Sequence, residues 1–109
     1  MVDMTYFKEH IHEELGDAVH YAEKALSLRS EKPKWAKNFM EMSDMEVKHA
    51  TLLFSMFEGS CNKVPEEDSS ELIKATKVDR DTMCKSVSDD FATAMTKLRT
   101  IKDMFYERI

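Results

Sequence analysis

Glycine and proline are nearly missing from this chain, with two of each in 109 residues. Sheet corners, tight hairpins and collagen-like or Pro-rich tracts are therefore excluded, and long helices are the economical way to order the backbone. Cysteine is equally scarce. Cys61 and Cys84 have neither CxxC spacing nor the density of a disulfide scaffold, so the expectation is a pair of reduced thiols. No apolar run approaches the roughly 20 residues of a bilayer-spanning helix, and "MVDMTYFKEHIHEEL" lacks the basic-then-apolar order of a signal peptide. The expected compartment is the cytoplasm. An excess of positive charge is also lacking: the formal net charge is -5, and the lysines and arginines are scattered among acids. That argues against a nucleic-acid surface and against membrane binding.

What is present is helical periodicity. The composition is 42% hydrophobic and 34% charged, in keeping with a single all-α domain covering residues 1–109. Phe7, Ile11, Glu14, Ala18, Tyr21, Ala25 and Leu28 fall at alternating steps of four and three, which predicts a helix over about 4–29. Pro33 ends that helix and suits the first turn of the next. Trp35, Phe39, Met42, Glu46, His49, Leu53 and Met56 repeat the rhythm, predicting a second helix over about 34–58, with Trp35 as a core plug and Gly59 as its stop. So short a connection makes the two an antiparallel hairpin. "SCNKVPEED" reads as a loop containing Pro65, "SSELIKAT" as a short helix over about 69–76 capped by Ser69 or Ser70. Cys84, Val87, Phe91, Ala94, Leu98, Ile101 and Phe105 then mark a long third helix over about 79–108, with Asp79 or Asp81 favouring its N-terminal dipole. Nine methionines are read as adaptable core filler.

Glu14, Glu46 and His49 are the exceptions to apolar seams. Glu46 and His49, three residues apart, project from one side of their helix and can reach one ion. If Leu28 lies opposite Trp35 beside the turn, equal rise along both helices puts Glu14 opposite His49, and Ala18 within one turn of Glu46. Buried carboxylates cost several kcal/mol each unless a cation or partner compensates, at about the magnitudes known for desolvated ions. The alternative is a mis-phased second helix with Glu46 and His49 on its solvated edge. His10, His12 and His20 lack partnered spacing on the seam, and Glu41 and Asp44 make a flanking acidic face that could lead cations inward.

"HEELGDAVHYAEKAL" followed by "EVKHATLL" resembles the ferritin-like superfamily, in particular rubrerythrin-type helices and the encapsulated ferritins that carry half of a ferritin bundle. The likeness spans Phe7 to Phe57. It implies metal ligation by Glu14, Glu46 and His49, which would also be the catalytic residues. Glu13 matches a preceding acid and Tyr21 a tyrosine two turns on, which would orient ligands or lead cations in; Asp17, one turn after Glu13, reads from its spacing alone as either a residue that orients a ligand or an exposed helix acid. A ferritin-like site needs a Glu and an ExxH from each helix pair, and this chain has no ExxH after His49. The resemblance therefore implies a four-helix bundle completed across a homodimer or higher homo-oligomer. It would hold a di-iron carboxylate centre at the interface, with manganese or zinc also suited to the donors. The implied chemistry is oxidation of Fe(II) by dioxygen or peroxide, a ferroxidase-type oxidoreductase activity. Two departures stand out. Gly16 occupies a position where encapsulated ferritins carry a further acid, and no flexible targeting peptide for an encapsulating shell follows "MFYERI". Two other readings remain open: a metal-free helical module for self-association or partner binding, and an intramolecular four-helix bundle using "SSELIKAT" and the third helix.

Overall fold

A computed structural model describes the backbone of residues 4–61 and 71–107 and the side chains of residues 4–61 and 79–107. Among them are three helices and no strand: α1 (Met4–Leu28), α2 (Pro33–Cys61) and α3 (Glu71–Phe105). None is long and apolar enough to cross a membrane. The predicted Pro65 loop and the caps Ser69 and Ser70 lie outside the described residues. α3 is continuous from Glu71, so the expected short helix and the separate third helix are one. Asp79 and Asp81 lie within α3 and not at its N-terminus. An intramolecular four-helix arrangement is absent from the described residues.

The α1–α2 turn follows from local chemistry. Lys32 NH donates to the Leu28 carbonyl at 2.9 Å, and Ala36 NH to the Lys32 carbonyl at 2.8 Å, on either side of Pro33. Pro33 opens α2, where its missing NH costs nothing. α3 lies mainly along α1 and touches α2 more sparingly. The Arg29 guanidinium, just past α1, donates to the carbonyls of Met104 and Phe105 at the end of α3, as a cation at a helix C-terminus should. Lys102 pairs with Asp44, joining α3 to α2.

Two clusters make the core. One joins Ala18, Ala22, Ala25 and Met40 to Leu98 and Ile101. The other joins Ile11, Leu15, Ala50 and Phe57 to Val87, with Phe54 stacked on Phe91 at 4.5 Å between ring centroids. The third-helix seam agrees with the sequence pattern. The α2 seam does not. Its inward residues are Ala36, Met40, Ser43, Ala50 and Phe57, each one position after a predicted seam residue, which is a rotation of about 100°. Trp35 is 58% exposed and lies beside the Lys32 ammonium, 5.1 Å from its ring centroid. It is not a core plug. Gly59 does not stop the helix, which continues to Cys61.

Side-chain size explains the rotation. Ala18, Ala22 and Ala25 on α1 and Ala36, Ser43 and Ala50 on α2 are all buried, and small residues let two backbones approach closely. Ser43, the buried polar residue of the described core, donates its hydroxyl to the Ala18 carbonyl at 2.6 Å. A face carrying Trp35 and Met42 could not come so near.

Cys61 and Cys84 form a disulfide, which corrects the expectation of free thiols. The end of α2 lies beside α3, with the two Cα atoms 6.1 Å apart, inside the span that a disulfide requires. The bridge closes a sequence separation of 23 residues. Loop-closure entropy alone then stabilises the fold by about 3 kcal/mol. Cys61→Ser with Cys84→Ser should lower the urea-unfolding free energy by about that amount; an unchanged midpoint would show that the bridge constrains little.

Candidate metal centre

Glu14 is positioned by α1, and Glu46 and His49 by α2, about one turn along from the Ser43–Ala18 hydrogen bond and two turns from the Tyr21–Phe39 stack, whose ring centroids are 6.2 Å apart. One ligand-capable atom from each of the three residues lies within 4.8 Å of the others. They do not line the inward core. The rotation of α2 puts them at the open edge of the α1–α2 groove, where the Glu14 side chain is 22% exposed and that of His49 is 59% exposed.

Within that edge the chemistry is specific. Glu14 Oε2 is buried and accepts no hydrogen bond, although His49 Nδ1 stands 3.5 Å away. Such an atom ordinarily costs stability unless something binds it. Hydrogen bonding with Glu14 raises the Glu46 carboxyl above its ordinary range; burial and the negative charge of Glu14 add to this, and His49 opposes it.

The donor set of two carboxylates and an imidazole suits iron, manganese or zinc. Ligand atoms bound at about 2.0–2.2 Å to one ion stand at most about 4.4 Å apart. The observed 4.8 Å spread needs only a small side-chain adjustment. With an orphaned oxygen already facing the other donors, the residues fit a divalent cation.

Of the surrounding candidates, Tyr21 is half-buried against Phe39, while Glu13 and Asp17 are exposed. Asp44 is held by Lys102 and so is not a free cation guide, whereas Glu41 is exposed. His12 Nε2 pairs with Asp90 Oδ2 on α3 at 3.2 Å, and the His10 ring lies 4.2 Å from that of Tyr6. Sequence reasoning brought the three residues to one level but favoured an inward position over the solvated edge that it named as the alternative for Glu46 and His49, and the structure shows the edge. The signal was available in the alanines one position further along α2. Comparison with family models, curated proteins and solved structures finds no significant match.

Proposed function

We propose that this is an iron-binding, ferritin-like protein in which Glu14, Glu46 and His49 from two copies of the chain make a di-iron carboxylate centre at a dimer interface. The observation that carries this reading is the convergence of Glu14, Glu46 and His49, with Glu14 Oε2 buried, without a hydrogen bond and 3.5 Å from His49 Nδ1. Three ligands per chain are too few for a closed two-metal site, and the edge on which they sit is open to a second copy.

Iron, when bound, would supply one electron per Fe(II) to dioxygen or peroxide; manganese or zinc could fill the same donors. The protein's part is to prepare the donors. Glu14 strengthens the hold of Glu46 on its proton, and metal and proton compete for the same oxygens, so uptake would strengthen as pH rises through the Glu46 titration. Glu14 offers its buried oxygen, and His49 offers the ring nitrogen already turned toward it. Fixing three donors in advance lowers the ordering cost of binding.

The test is an anaerobic Fe(II) titration with mass measured in solution. One iron per chain in a dimer supports the reading. No uptake, or uptake unchanged in Glu46→Ala and His49→Ala, sinks it and leaves the metal-free self-associating module, which the exposed apolar side chains of α2 also favour.

A further inference from the structure

With one apolar face of α2 turned to α1 and α3, a second remains outside. Trp35, Asn38, Met42, Met45, His49, Leu52 and Met56 follow one another at alternating steps of three and four, and all seven are exposed. That spacing is the seam of a left-handed coiled coil, extending over about 32 Å of helix. Exposed apolar stripes of this extent mark interaction sites. A recess of about 300 Å³ lined by Trp35, Asn38, Phe39 and Met42 opens on it, shaped to take a side chain from another helix.

We propose that this stripe pairs with the same stripe of a second copy, α2 running antiparallel to the partner's α2. Trp35 then packs on the partner's Leu52, Asn38 on the partner's His49, and Met42 on the partner's Met45. Glu41 forms an ion pair with the partner's Lys48. The inference takes from the reading above only that two copies of the chain associate, and it specifies the face, direction and register.

Charge decides the direction. Glu41 and Lys48 occupy the same heptad position, immediately before Met42 and His49, and such positions face each other in antiparallel pairs. The symmetry axis makes the Glu41 and Lys48 contact twice. A parallel pair would instead set Glu41 beside the partner's Glu46, acid against acid.

Polarity decides the register. In the stated alignment Asn38 and His49 meet each other, the Trp35–Leu52 and Met42–Met45 contacts are apolar, and Met56 lies beyond the paired stretch of α2. Sliding by one heptad would put Lys48 against the partner's Lys48 and leave His49 facing Met45. Methionine packs adaptably and specifies register weakly, so these polar contacts are needed to choose it. Glu46 lies within one turn of the axis, while His49 and the partner's His49 stand 11 residues, about 16 Å, apart along it, so in this register each cluster would hold its own ion beside the shared interface. With His49 Nδ1 turned toward Glu14, the other ring nitrogen donates to the partner's Asn38, the type of contact that orients a ligating imidazole.

The test uses the full chain, metal-free, in sedimentation equilibrium up to about 100 µM, where even a weak micromolar dimer is populated. The wild type should be a dimer, and Leu52→Asp a monomer of unchanged helicity by circular dichroism. Glu41→Lys and Lys48→Glu should each raise the dissociation constant about tenfold, since two attractions become repulsions, and the double reversal should restore it. A monomeric wild type, a dimeric Leu52→Asp, tighter association in Glu41→Lys, or no restoration in the double variant overturns the proposal. Iron titration of the same samples separates the two readings. A dimer obeying these variants without taking up iron removes the metal centre and leaves the pairing; a monomer that binds iron does the reverse.

Discussion

Glu46→Gln should cost more than about a hundredfold in metal affinity while leaving the metal-free protein at least as stable as the wild type at neutral pH. The affinity loss exceeds the 10- to 100-fold typical of changes beyond the ligands themselves, because a charged donor disappears. The stability effect has the opposite sign for a definite reason. Glu46 has its pKa raised above 4.5 in the folded protein by hydrogen bonding with Glu14, burial and the Glu14 charge. Between the unfolded value and that raised value the folded state binds more protons than the unfolded state. Stability therefore falls as pH rises through this window and remains lower above it. Glutamine stays neutral and retains a hydrogen-bond donor for Glu14, which removes that pH dependence. Urea unfolding of the metal-free proteins from pH 4 to pH 8, with metal binding measured beside it, checks both halves. A variant that binds metal as before would exclude Glu46 as a ligand. A wild type that gains stability relative to Glu46→Gln as pH rises across the window would contradict the assignment of the raised pKa.

Phe57→Ala should destabilise the fold by about 3–5 kcal/mol, whereas Met56→Ala, one residue away, should change the monomer by no more than about 0.5 kcal/mol. Phe57 is 1% exposed and Met56 is 54% exposed. The Phe57 ring packs in the cluster of Ile11, Leu15, Ala50 and Val87, with Cys61 and Cys84 against it, so truncation leaves a cavity that the disulfide hinders from collapsing. The pair is diagnostic because the sequence rhythm alone would choose Met56 as the inward residue. Unfolding free energies measured at concentrations below dimer formation decide between the phases: a larger loss in Met56→Ala than in Phe57→Ala would reverse the orientation of α2.

The pH and cavity effects meet in one feature, the double character of α2. One stripe supports the monomer through Met40, Ser43, Ala50 and Phe57. The other offers Trp35, Met42, Met45, Leu52 and Met56 to the outside, with Glu46 and His49 beside or within it. Substitutions on the first stripe should register in unfolding, and those on the second in association. Glu14 and Glu46, at the border between them, should register in metal binding.

Much of this architecture could be read from residue order. The scarcity of glycine and proline, the four-three rhythm and Pro33 determined a helical hairpin followed by a third helix. Equal rise along paired helices determined that Glu14, Glu46 and His49 would lie at one level. The inward face of α2 could not be determined in this way. Apolar residues make up nearly half of that helix and flank both stripes, and periodicity then admits two phases one residue apart. Only tertiary packing chose between them, because the alanines of α1 admit Ala36, Ser43 and Ala50 to close contact and exclude Trp35 and Met42. The same choice placed the candidate ligands at an open edge. The disulfide likewise depended on three-dimensional proximity, since nothing in the spacing of Cys61 and Cys84 reports that the end of α2 lies against α3.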